Sequence, residues 1–201
     1  VEFFARARTE LNLERSKLVA FGSTRRVNGD AAQDATLANL LAAETEVVCI
    51  VGKASAYHVT EALRTSLDEG VAMVADSIRY LKSRGRTVFF DAEHFFDGYR
   101  ADPDFSLRVL QGAAEAGADC LVLCDTNGGS LPGQVQEMVA VVVAAVDCEV
   151  GVHLHNDTGC GVANALAGVA GGATQNPGAC PLFPSDPAAQ LQCFVLCLCS
   201  H

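Results

Sequence analysis

A chain of 201 residues with 50% hydrophobic and 19% charged side chains can bury one substantial core, and it is too apolar to be an unfolded, solvated chain. The formal charge of -10 is uneven: all 14 Lys and Arg fall within residues 1–108 beside 16 acids, while residues 109–201 carry 8 acids and no Lys or Arg. That second stretch offers no basic face to phosphates, which argues against a nucleic-acid partner, and no uncharged apolar run has the continuity of a membrane span.

From the first residue, Val1-Glu2-Phe3-Phe4-Ala5-Arg6-Ala7 reads as the middle of a helix with no start signal, so an upstream segment is expected. Apolar, β-branched runs at 17–22, 46–52, 87–91, 120–125 and 149–155 read as five strands. Helical patterns occupy 31–43, 57–83 (two helices broken near Gly70), 103–116, 132–146 and 160–170. Strand offsets of about 29 to 40 residues suit repeated βα units with right-handed crossovers. The fold is then a doubly wound sheet or a (β/α)8 barrel.

Each strand run ends in polar or small residues: Ser23-Thr24-Arg25-Arg26, Lys53-Ala54-Ser55, Asp91-Ala92-Glu93-His94, Asp125-Thr126-Asn127 and His153-Leu154-His155-Asn156-Asp157. Strand ends converging on one mouth, where barrel active sites lie, favour the TIM barrel. No Gly-x-Gly-x-x-Gly follows any strand, which weakens a dinucleotide site. A whole barrel needs about 250 residues, so this α/β barrel is read as incomplete.

His153 and His155 are the most informative pair. Side chains two apart on a strand share a face, with Cα atoms roughly 6.5 Å apart, which suits one divalent cation bound by two imidazoles. The competing reading is a hydrogen-bonded pair lining a polar cavity.

Of the nine cysteines, Cys49, Cys120, Cys124, Cys148 and Cys160 lie in or beside apolar runs, where a free thiol packs as a small hydrophobe. After Gln175 the composition changes: four of six prolines fall in 177–187 and four cysteines in 180–199. The division expected is a catalytic domain over 1–175 and an atypical, poorly ordered tail over 176–201. Cys193, Cys197, Cys199 and His201 have a spacing that matches no common zinc site. With no signal peptide and no membrane span, a cytoplasmic protein is expected, with organellar targeting left open by the abrupt start.

Four segments in order carry a family resemblance: Leu18-Val19-Ala20-Phe21-Gly22-Ser23-Thr24-Arg25-Arg26, Asp91-Ala92-Glu93-His94-Phe95-Phe96-Asp97-Gly98-Tyr99, Leu121-Val122-Leu123-Cys124-Asp125-Thr126-Asn127-Gly128-Gly129, and the His153 pentapeptide. Over about residues 1 to 175 the chain resembles the citramalate, isopropylmalate and homocitrate synthase family, related to hydroxymethylglutaryl-CoA lyase and often called the pyruvate carboxyltransferase domain. The resemblance implies strands three to seven of the barrel. The family's first strand with its Arg-Asp-Gly motif, its second strand, its eighth strand and its C-terminal regulatory domain have no counterpart.

By resemblance, the activity is acyl transfer: a Claisen condensation of acetyl-CoA with a 2-keto acid, pyruvate in the citramalate branch, then thioester hydrolysis, in branched-chain amino-acid biosynthesis. The cofactor implied is a divalent ion (Mn, Mg, Zn or Co), with acetyl-CoA as co-substrate. His153 and His155 match the metal ligands. Glu93 matches an acid that contacts acetyl-CoA and assists proton transfer, Thr126 a hydroxyl holding the keto-acid carboxylate, and His58 a pocket histidine. Arg25, Arg26 and Lys53 lie where CoA phosphates or a carboxylate could bind. The partners implied are these small molecules and, in the complete form, a second copy in a homodimer. Alternatives are a non-catalytic truncated chain and a metal-dependent acyl-CoA lyase or aldolase.

Overall fold

A computed structural model describes residues 2–13, 17–175 and 193–196. Helix α1 (Glu2–Glu10) precedes five βα units: β1 (Lys17–Ser23) with α2 (Ala35–Ala42), β2 (Val47–Lys53) with α3 (Leu67–Ser83), β3 (Thr87–Glu93) with α4 (Phe95–Ala101) and α5 (Pro103–Glu115), β4 (Cys120–Asp125) with α6 (Pro132–Ala145), and β5 (Glu149–Leu154) with α7 (Gly161–Ala170). β1 to β5 pair in parallel in chain order, and β6 (Cys193–Leu196) lies antiparallel on β1. All five expected strands are present.

The reading of 57–83 is corrected in two respects. The break in 57–83 falls before Ser66, not at Gly70, because the Ser66 side chain accepts from the Glu69 amide and Asp68 and Glu69 occupy the first turn of α3. Gly70 sits inside α3, where a Cβ would come within 3.0 Å of a Val59 methyl. The stretch 58–62 is a separate π-helical turn. Residues 95–101, which lie outside the expected helices, form α4, which the short Phe95-Phe96 apolar pair anchors against the core.

Both edges of the parallel sheet carry some pairing. β1 is covered by β6, and Gln175 bridges to Gly151 in parallel, so 174–175 begin to pair alongside β5. The readings placed on the rest of 176–201, including the Cys197, Cys199 and His201 part of the zinc set, lie outside the described residues. Among the described residues, no helix is long and apolar enough to cross a membrane.

Strand parity divides the core in two. Val48, Ile50, Phe90, Leu121, Leu123, Val150 and Val152 face the helices in one large cluster. The alternate residues Val19, Val47, Cys49, Phe89, Cys120 and Val122 form a smaller cluster on the opposite, inner face. β4 is buried on both faces, as a covered parallel sheet requires.

Two contacts outside the site make measurable predictions. A Cβ on Gly98 would lie 2.5 Å from the Ala54 carbonyl oxygen and 2.8 Å from Ser55 Cα, both backbone. Gly98→Ala is expected to destabilise by about 1–3 kcal/mol, read from a denaturant midpoint, because α4 cannot withdraw without uncovering Phe95 and Phe96. Arg25 is 4% exposed and bonds Glu69 at 2.6 Å and Asp76 at 2.8 Å. The Arg25 hydrogen bond holds the Glu69 carboxyl below its ordinary value of 4.5 against the opposing effect of burial. That contribution is complete above pH 4.5 and is lost as pH falls through the lower folded value. The stability gap between the parent and Arg25→Met should therefore narrow as a denaturation series is taken from neutral pH into acid.

Candidate metal centre

On the inner face, apolar residues give way to polar ones toward the C-terminal strand ends. Phe89 is followed two residues on by Asp91 and then Glu93; Val122 by Cys124 and Thr126; Gly151 by His153 and His155; Val51 by Lys53. Period-two alternation thus gathers these side chains at one end of one face.

His153 and His155 have ring centroids 5.3 Å apart at an interplanar angle of 56°, and both are half-buried. His153 Nδ1 lies 3.1 Å from Asp91 Oδ2. One ligand atom each from Asp91, Cys124 and His153 fall within 4.8 Å of one another. Asp91 and Cys124 are therefore site residues that the sequence reading did not single out. The available signal was parity, since Asp91 stands two before Glu93 and Cys124 two before Thr126.

Burial, and then the neighbouring His153, push the His155 imidazole below its usual range, while Asp157, Asp125 and the Thr126 carbonyl oppose this. A neutral imidazole is the form that metal ligation needs. An imidazole pair backed by a carboxylate fits a divalent cation.

Glu93 ends β3 and pairs with Lys53 at the end of β2. Thr126 Oγ1 accepts the His94 amide at 2.9 Å, which joins the loop after β4 to the loop after β3. His94 has φ +59°, a left-handed conformation rare for a side-chain-bearing residue. Its ring stacks on His58 with centroids 3.7 Å apart at 7°. Burial, and then His58, lower the His94 pKa. The structure thus brings His58 beside the Glu93 loop.

The three bases expected at the mouth separate. Lys53 faces Glu93, and Arg26 is exposed. Arg25 points instead to α3, where its guanidinium holds Glu69 and Asp76. The buried Arg25 guanidinium is thus paired with two carboxylates of α3, whereas Lys53 stands at the strand ends beside Glu93.

The loops behind His155 and Thr126 interlock. Gly128 has φ +60°, and a Cβ there would lie 2.8 Å from the Asp157 amide. Thr158 Oγ1 donates to the Gly128 carbonyl at 2.8 Å. Asn156 Oδ1 accepts the Gly161 amide at 2.7 Å at the start of α7.

Five parallel βα units with imidazoles and carboxylates gathered at the C-terminal strand ends define a TIM-barrel-type domain whose mouth can hold a metal. The chain belongs to the HMGL-like family, whose profile matches residues 10–179. It is 50% identical to the (R)-citramalate synthase of Streptomyces coelicolor over 95% of this chain and 38% of that protein. It is 46% identical to the (R)-citramalate synthase of Geobacter sulfurreducens over 89% of this chain and 34% of that protein. Its fold is similar to that of the HMG-CoA lyase from Brucella melitensis, with a TM-score of 0.68, 15% identity, and coverage of 92% of this chain and 66% of that one. The chain spans about a third of the length of these curated relatives.

Proposed function

We propose that this chain carries the metal-binding mouth of a citramalate synthase-type acyltransferase, which condenses acetyl-CoA with pyruvate and hydrolyses the thioester, in branched-chain amino-acid biosynthesis. The observation that carries this reading is the convergence of His153, His155, Asp91, Glu93 and Thr126 on one face, in a chain 50% identical to an (R)-citramalate synthase. His153 and His155 would hold the ion. A bound divalent ion (Mn, Mg, Zn or Co) supplies Lewis acidity to the keto-acid carbonyl.

The remaining chemistry falls to the protein's own side chains. Thr126 accepts from the His94 amide, which leaves its hydroxyl proton to donate to the keto-acid carboxylate. Glu93 takes the proton removed from the acetyl methyl carbon, and the Lys53 ammonium keeps that carboxylate oriented. His58, stacked on His94, lines the same pocket. Arg26 and Lys53 are the bases left to meet CoA phosphates or a carboxylate. A homodimer of the complete form and a cytoplasmic location belong to the same proposal.

The test is coenzyme A release from acetyl-CoA by the complete protein, followed with a thiol reagent and by mass spectrometry of the acid product. Pyruvate-dependent thiol release with citramalate formed supports the reading. Absence of pyruvate-dependent release overturns it, and cleavage of a hydroxyacyl-CoA without condensation assigns a lyase.

A further inference from the structure

The His153 ring has two nitrogens, and only one can serve a cation while the other holds the ring in place. Nδ1 faces Asp91 Oδ2 at 3.1 Å. A carboxylate only accepts, so this contact assigns the proton to Nδ1 and the lone pair to Nε2.

Asp91 is itself held. It is 5% exposed on β3, on the inner face. Its other oxygen, Oδ1, accepts the Cys49 thiol at 3.3 Å, and Cys124 lies within the same cluster. The three groups come from adjacent strands β2, β3 and β4, so the sheet register fixes them before any ligand arrives. A buried carboxylate needs such partners, and the apolar floor of Phe89, Cys120 and Val122 below it excludes water.

We infer that Asp91 is a positioning residue: it fixes the Nδ1–H tautomer and ring orientation of His153, making Nε2 the ligating atom, and the Cys49 thiol holds the carboxylate for that task. Carboxylate–imidazole–metal arrangements of this kind tune affinity by about 10–100-fold. The inference rests on His153 being a metal ligand. The competing use of the same cluster is direct ligation of the ion by the Cys124 thiolate, and the experiment separates the two.

Co2+ binding to the complete protein is measured by calorimetry and visible absorption, without substrates. Asp91→Asn and Asp91→Ala should each weaken Co2+ binding about 10–100-fold with an unchanged circular dichroism spectrum, and Asp91→Glu should recover part of it. Cys124→Ser should leave affinity within about threefold, with no sulfur-to-cobalt charge-transfer band in the parent. Wild-type affinity in Asp91→Asn overturns the inference, as does a charge-transfer band that Cys124→Ser removes. Should the Asp91 variants not fold, 15N shifts of the His153 ring in the metal-free parent decide: protonated Nδ1 supports the inference and protonated Nε2 overturns it. Because no acyl substrate is present, a parent that binds Co2+ through this arrangement but releases no coenzyme A would sink the synthase reading and leave the role of Asp91 standing.

Discussion

Replacing His153 with alanine in the complete protein is expected to lower kcat/KM for acetyl-CoA and pyruvate by about three orders of magnitude while leaving the fold intact. His153 is one of two imidazoles on this strand end and the one that Asp91 faces, so its removal leaves His155 alone of the proposed pair of ligands. Lewis-acid polarisation of a carbonyl contributes several kcal/mol to the transition state, and each 1.36 kcal/mol is tenfold in rate. The ring stands at a strand end and is not part of the inner apolar cluster, so the apolar core is untouched by its removal. Thiol release, metal content of the purified protein and circular dichroism check this together. An enzyme that keeps its activity and its metal after the substitution would remove His153 from the site.

Phe90→Ala should produce the largest stability loss in the chain, about 3–5 kcal/mol. Phe90 is 0% exposed in the middle of β3, flanked in register by Ile50 on β2 and Leu121 on β4. Its ring closes against the backbone of Gly52: a Cβ there would lie 3.0 Å from Phe90 Cε2 and 3.0 Å from a Val74 methyl. The space left by the ring is bounded by sheet on one side and α3 on the other, and neither can collapse into it without shifting the register that also places Asp91 and Glu93. A urea titration of parent and variant measures the change, and Phe90→Leu, which retains most of the volume, should lose markedly less. A loss below about 1 kcal/mol for Phe90→Ala would show that the helix layer relaxes onto the sheet more freely than this packing allows.

The strand runs, the polar residues at their C-terminal ends and the pairing of His153 with His155 were all legible from local pattern. Hydrophobic alternation and the β-branched content of the runs are properties of a few consecutive residues, and parallel βα units follow from their spacing. Helix α4 was not legible, because seven residues with one apolar pair carry too short a period to separate from a loop. The break in 57–83 was misplaced at Gly70 because glycine is a weak helix former, whereas the Ser66 cap sets the boundary and Gly70 lies inside the helix where Val59 packs closely on it. Arg25 is the clearest case at the site. Its place after a strand suggested the mouth, yet the carboxylates that hold it stand 44 and 51 residues later on one face of α3.

By itself the sequence determined the class of fold, the face on which chemistry could occur and the two imidazoles, since each rests on periodicities of two and 3.6 residues that the chain displays without reference to anything distant. Tertiary structure alone decided which partners those groups have. Asp91 meets His153 across 62 residues and two strand pairings, His58 meets His94 through a stacked ring contact, and Lys53 meets Glu93 between adjacent strand ends. Strand register and helix packing set such contacts, and both are collective properties of the whole sheet. A carboxylate that reads from its neighbours as one more strand-end acid is therefore revealed as the partner of His153 only once the strands lie side by side.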